Sequence, residues 1–208
     1  MGPTVRVANA SDVPEMSRAL ALAFADDPIM GWLIGDSAAV RKRSRLVFAT
    51  MARHHFLEHG RIEVAVDESG AIGGAAMWTT PGHWNFDDRD GMRMVPSFIR
   101  AFRTRVNASR RMAERMATHH PAEPHWYLMF LGTRPAVRGK GFGHVLLTER
   151  LRHCDETGSP AYLESSKPDN VPYYERFGFE VVEQLDVTEG GPPMWSMWRA
   201  PRAQSTEP

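Results

Sequence analysis

Apolar positions along the 208-residue chain recur at a spacing of two in some stretches and near 3.6 in others, and the switches mark its elements. Residues 4–8 (TVRVA) alternate and predict a short strand. Ser11 or Asp12, with Pro14 in the first turn and Glu15 close to the capping-box position, predicts a helix start. Leu20, Leu22, Ala23 and Phe24 give that helix its buried face, and Asp26-Asp27-Pro28 predicts its end. A second helix is expected over 37–59, basic on its outer face (Arg41, Lys42, Arg43, Arg45) and stopped by Gly60. Residues 61–66 and 71–80 read as strands joined by the turn Asp67-Glu68-Ser69-Gly70. Gly73-Gly74 inside the second strand predicts a bulge or a close backbone approach.

Between 85 and 120 the pattern becomes helical and the composition shifts. Eight arginines (89, 93, 100, 103, 105, 110, 111 and 115) stand among methionines with few acids. One or two amphipathic helices with solvated arginine faces account for this, and the segment is also a candidate lid over a bound substrate. From 125 to 144 the chain reads as an apolar strand, a turn anchored by Pro135, and a glycine-rich loop opening a helix that runs to about 157 and closes at Gly158. Residues 161–165 form a strand, 167–170 a loop, 171–177 a short helix ended by Gly178. Residues 179–188 and 194–198 form a last strand pair. The polar residues 202–208 are expected to be a disordered tail, leaving 1–201 as one domain.

Composition removes several classes of function. Lysine plus arginine balances aspartate plus glutamate at 25 each, for a net charge of zero, so nothing points to nucleic acid or an anionic membrane. No run approaches the roughly 20 apolar residues of a membrane span. The lone cysteine, Cys154, admits no internal disulfide and, with no leader pattern at the start, sets the expectation of a cytoplasmic protein. Cys154 shares a helix face with Leu147 and Leu151, which suits packing rather than nucleophilic chemistry. A monomer and a homodimer are both compatible with the sequence.

The chemistry concentrates in Arg138-Gly139-Lys140-Gly141-Phe142-Gly143. A helix N-terminus leaves backbone N–H groups unpaired and carries partial positive charge. Glycines let those groups close on an anion, and Arg138 and Lys140 add mobile charge, so a diphosphate fits. The P-loop pattern is absent, since no Gly-Lys is followed by Ser or Thr. The dinucleotide pattern G-x-G-x-x-G fails in both registers, ending on His144 or Leu146. Glu164 does stand where a ribose-binding acid would, yet no further alternating units follow it.

The loop fits (Gln/Arg)-x-x-Gly-x-(Gly/Ala) and, with LESSKPDNVPYYERFGFE downstream, resembles the GNAT superfamily of N-acetyltransferases. Within it, Leu22 to Asp26 with Pro28, Trp78-Thr79-Thr80-Pro81, Leu163-Glu164-Ser165, Tyr174 to Phe179 and the closing Trp195-x-Met197 resemble puromycin N-acetyltransferase and its relatives. The match weakens over 85–120, and His144 replaces the small residue usual there.

The resemblance implies an α/β fold: a mixed, mostly antiparallel sheet of six or seven strands, helices on both faces, and a central strand pair that splays. It implies acetyl-CoA as cosubstrate, no metal, and acetyl transfer by direct attack to a primary amine of a small molecule. An aminonucleoside such as puromycin is one such acceptor. Leu131, Gly132 and Thr133 are expected to pair with pantetheine, the Leu131 N–H facing the thioester oxygen. Arg138, Gly139, Lys140, Gly141, Phe142, Gly143 and His144 are expected around the pyrophosphate, with Asn170 also on the cofactor. Glu164 is the expected base, Tyr174 the expected acid and Tyr173 its nearest rival. A protein or peptide acetyltransferase, or a CoA-binding sensor without turnover, would carry the same motifs. His55-Phe56-Leu57-Glu58-His59 matches the H-x-x-E-H pattern of zinc peptidases, but nothing nearby in the sequence supports hydrolysis.

Overall fold

A computed structural model describes residues 2–202. Seven strands form one sheet in the order β1-β2-β3-β4-β5-β7-β6. Strand β1 (Thr4–Val7) leads through a 3-10 turn into helix α1 (Val13–Ala23). Helix α2 (Pro28–Ile34) follows, then α3 (Val40–Met51), a π turn (Ala52–Phe56) and the single turn α4 (Leu57–His59). The hairpin β2 (Gly60–Val66) and β3 (Ile72–Thr79) precedes helices α5 (Asp88–Phe102) and α6 (Val106–His119). Strand β4 (Trp126–Thr133), helix α7 (Phe142–Glu156), strand β5 (Ala161–Ser165), helix α8 (Val171–Glu175), and strands β6 (Glu180–Leu185) and β7 (Met194–Arg199) complete the described residues. No helix among the described residues is long and apolar enough to cross a membrane.

Two stretches depart from the sequence expectation. Asp26-Asp27-Pro28 ends α1 but also begins α2, because Asp27 Oδ1 accepts from the Met30 amide at 2.8 Å and Pro28 takes the first helical position, where its missing N–H costs nothing. The helix expected over 37–59 starts at Val40 and is interrupted by the π turn. The tail expectation falls, apart from Arg202, on residues outside the described range; the Arg202 amide donates to Asp155 Oδ1 at 2.8 Å.

All neighbouring strands are antiparallel except β4 and β5. Alternation along each strand feeds two cores. Ile72, Ala75 and Met77 of β3 face α1 and α3, packing with Met16, Leu20, Phe48 and Phe56. Ala76 and Trp78 face the other way, against Phe142, Leu146, Leu147, Leu151 and Cys154 of α7. Helices α5 and α6 join the first side, burying Met94, Ala101, Phe102 and Met112. Gly73 shows why the β3 glycines matter. A Cβ there would lie 2.3 Å from the Phe142 ring, so the absent side chain lets the start of α7 seat against the sheet. One buried ion pair ties α7 to β2: Arg150 donates to Glu63 Oε1 and lies 4.4 Å over the Trp126 ring.

Candidate active site

Strands β4 and β5 pair in parallel over three positions only, Trp126 with Ala161, Tyr127 with Tyr162 and Leu128 with Leu163. Met77 pairs with Phe130 and Trp78 with Leu128, so Met129 is the extra residue of a bulge, which bends its strand. Beyond it, Leu131, Gly132 and Thr133 pair with β3 on one side and have no strand on the other. The gap opens into a cleft of about 1040 Å³. Leu131, Gly132, Thr133, Arg138, Gly143, Glu164, Asn170, Tyr173 and Tyr174 all line it, so residues spread over more than 40 positions of sequence share one surface.

At the open end, Gly141 caps α7 with φ 85° and no side chain caps that helix. Gly139 is also left-handed, φ 76°, a conformation that disfavours any residue with a Cβ. The first intrahelical bond of α7 runs from the Val145 amide to Gly141 O at 3.0 Å. The amides of Phe142, Gly143 and His144 therefore have no carbonyl of their own helix to bond, which makes this turn a ready anion site. Side chains here go elsewhere: Phe142 is buried under Gly73, and the His144 ring lies 5.2 Å from Phe177. What these two residues offer an anion is the backbone. Arg138 reaches back to Ala23 O at 3.3 Å. The loop thus fits a diphosphate by its own geometry.

The two tyrosines of α8 take different directions. Tyr173 Oη lies over the glycine loop, 3.0 Å from where a Gly143 Cβ would be, and burial pushes its pKa up to about 12. Tyr174 packs at 6.1 Å from Phe179. Burial first, then Tyr173 and Asp27, raise its pKa above the ordinary phenol value. It stays protonated at any physiological pH.

Glu164, next to last in β5, stands on the cleft wall. It keeps partial exposure as a residue, yet its carboxyl is enclosed and Oε1 has no hydrogen-bond partner. Burial raises its pKa to about 7, partly opposed by the Tyr127 and Tyr162 hydroxyls beside it. A carboxyl at that value exchanges protons near neutral pH.

Five further residues of this region were not among the expected site residues. Asp27, 5% exposed, lines the cleft and accepts from Ser166 Oγ as well as from Met30; burial raises its pKa too. The Asp-Pro pair is an N-cap signal that could have found it. Tyr127 and Tyr162 face each other only because β4 and β5 pair in that register, which no local pattern reveals. Behind them His125 Nε2 and His120 Nε2 lie 3.1 Å apart, and burial, then His125, lowers the His120 pKa to about 3.

The H-x-x-E-H residues sit apart from these groups, on the π turn and α4. His55 Nδ1 and His59 Nε2 approach Asp90 Oδ2 at 3.3 and 3.7 Å, joining that turn to α5. Among the arginines expected to be solvated, Arg111 and Arg115 pair with Glu189 at 3.2 and 3.1 Å. Arg105 donates to Trp32 O at 2.7 Å.

The acetyltransferase (GNAT) family model matches residues 64–179. An uncharacterised N-acetyltransferase of Schizosaccharomyces pombe is 27% identical over 214 residues, covering 94% of this chain and 83% of its own. A solved structure described as histone acetyltransferase HPA2 and related acetyltransferase, from Corynebacterium glutamicum, superposes with a TM-score of 0.77 at 27% identity, covering 99% of this chain and 100% of that one. A GNAT superfamily phosphinothricin acetyltransferase from Sinorhizobium meliloti, solved in complex with AcCoA, shares the fold (TM-score 0.53, 19% identity, 100% of this chain and 94% of that one). The matched segment spans more than half of the residues and runs from β2 through the glycine loop to Phe179; the chain belongs to the acetyltransferase (GNAT) family.

Proposed function

We propose that this protein transfers an acetyl group from acetyl-CoA to the primary amine of a small molecule by direct attack. The observation that carries the reading is Glu164, a carboxyl with a pKa raised to about 7 in the same cleft as Tyr174 and the glycine loop. Acetyl-CoA supplies the activated acetyl group. Its pyrophosphate goes to the α7 turn formed by Arg138, Gly139, Lys140, Gly141, Phe142, Gly143 and His144. Its pantetheine arm goes along Leu131, Gly132 and Thr133, with Asn170 on the opposite side.

Glu164 takes the proton that keeps the acceptor as an ammonium, leaving a lone pair free for the carbonyl carbon. The Leu131 N–H faces the oxygen on which negative charge develops. When the carbon–sulfur bond breaks, Tyr174 supplies the proton that leaves CoA as a thiol. After attack the nitrogen still carries one proton more than the amide keeps; losing it as the amide forms returns Tyr174 to the neutral phenol, so the step ends with CoA as the thiol, Glu164 protonated and Tyr174 restored.

The cover of α5 and α6 over the acceptor side supports a small molecule over an extended peptide, although the C. glutamicum relative bears a histone acetyltransferase name. Resemblance to puromycin N-acetyltransferases makes puromycin one compound to include. The test is release of CoA thiol from acetyl-CoA across small amines, puromycin and lysine peptides. Turnover on small amines supports the reading; turnover on peptides alone, or tight acetyl-CoA binding with no turnover, overturns it.

A further inference from the structure

Past Glu164, the cleft continues as a chamber between the sheet and helices α5 and α6. Its walls are apolar and soft: Met94, Phe98, Phe102, Met112, Met116 and Phe130 all line it. Met94, Phe102 and Met112 are buried in the adjoining core and the other three pack against it, so the lining is held in place by the fold. Methionine and phenylalanine offer a ligand dispersion and area burial, and methionine adapts to its shape.

Charge is sparse and uneven along the same surface. Apart from Asp169, on the turn that leads into α8, the acids lining the cleft are Glu164 and Asp27. Asp27 is already engaged by Ser166 and the Met30 amide. Toward the α6 wall the charged group is a cation, Arg110, accompanied by Asn107 and Ser109. Val95 and Ile99 line the cleft while remaining 47% and 50% exposed, so they form an apolar rim open to solvent.

From this distribution we infer that the acceptor is a monoamine with a bulky aryl or alkyl body, its nitrogen at Glu164 and its apolar end under α5 and α6. The inference rests on the acetyl-transfer reading above and narrows its acceptor. A second ammonium, as in a polyamine or aminoglycoside, would lie against apolar side chains or near Arg110, on a wall to which the cleft-lining acids Glu164, Asp27 and Asp169 do not belong. Each methylene added to a monoamine goes into surface that water leaves on binding. That gain is worth up to about fourfold in affinity per methylene.

The experiment measures kcat/KM by thiol release for a phenylalkylamine series from benzylamine to phenylbutylamine, against spermidine, an aminoglycoside and a lysine peptide. Acetyl-CoA binding is followed separately by calorimetry. We expect kcat/KM to climb by about two- to fourfold per methylene and to exceed that for the polar amines. The double variant Val95→Asn with Ile99→Asn, at half-exposed positions, should flatten this slope without moving the melting temperature. A flat or falling slope, or a preference for spermidine, aminoglycoside or peptide, overturns the acceptor class and leaves acetyl transfer standing. Acetyl-CoA binding with no turnover on any amine overturns both.

Discussion

Glu164→Gln gives the sharpest test, because a base with a pKa of about 7 leaves a mark at a defined pH. An amine with a pKa near 10 is neutral in only about one molecule in a thousand at pH 7. Without a base, the enzyme must wait for that fraction, so the ceiling on the loss is about a thousandfold; base catalysis ordinarily contributes about 10²- to 10⁴-fold. We expect kcat/KM to fall about 100- to 1,000-fold at pH 7. Below that pH the deficit should stay constant, because wild type and variant then lose activity together. Above it the deficit should shrink about tenfold per pH unit until the amine itself is neutral. Stability supplies a second reading that does not need turnover. The folded-state pKa lies above the ordinary glutamate value of 4.5, so the native state holds this proton more tightly than the unfolded chain does. The resulting stabilisation is intact below about 4.5, drains away as pH rises to about 7, and leaves a wild-type deficit of about 3 kcal/mol above it. The Gln variant should therefore melt roughly 6 to 12 °C higher than wild type at pH 8 and close to it at pH 4.5. A kinetic deficit of the same size at pH 7 and pH 9.5, with identical melting curves, would refute both the base role and the burial argument behind it.

Tyr174→Phe should lower kcat by about one to three orders of magnitude while acetyl-CoA affinity by calorimetry moves less than about threefold (about 0.65 kcal/mol); unchanged turnover removes Tyr174 as the acid. Gly73→Ala should cost about 1–3 kcal/mol in urea denaturation, as expected for an overpacked contact. It should also weaken acetyl-CoA binding, because the displaced Phe142 begins the helix that carries the anion site; unaltered affinity would separate the two. Arg150→Met leaves Glu63, 3% exposed, with only the more distant Arg61 Nε at 3.8 Å, and should cost about 3–5 kcal/mol. Adding Glu63→Gln should recover much of that loss, and a double variant as unstable as the single one would contradict the charge argument.

Local signals carried much of this structure. Strand β5 is bounded by Pro160 and a serine turn, and its sequence range and its observed range coincide at Ala161–Ser165. Gly158 and Gly178, both at positive φ, follow the last residues of α7 and α8 by two and three positions, so the second helix is shorter than the expected 171–177. Arg138, Gly143, Glu164, Asn170, Tyr173 and Tyr174, candidates because they are close in sequence and punctuated by Gly and Pro, line one cleft. The failures have physical causes. Asp27-Pro28 is both a stop and a start, and the apolar stretch PIMGWLI was too short to show a period. The π turn inserts a residue without changing composition, so 37–59 read as continuous. Tyr127 and Tyr162 reach Glu164 through a parallel pairing between strands about 35 positions apart in numbering, and pairing over that distance leaves no trace in either segment.

The short parallel joint between β4 and β5 also divides the molecule mechanically. On one side the antiparallel run β1 to β4 is drawn from residues 4–133; on the other, β5, β7 and β6 come from 161–199. Among the described residues, three paired positions are the sheet's only seam between these blocks. A molecule bound across the gap would lace the seam shut, adding its binding energy to whatever holds the blocks together. The amide protons of β5, β6 and β7 would then exchange as part of the whole domain rather than as a leaf that opens by itself.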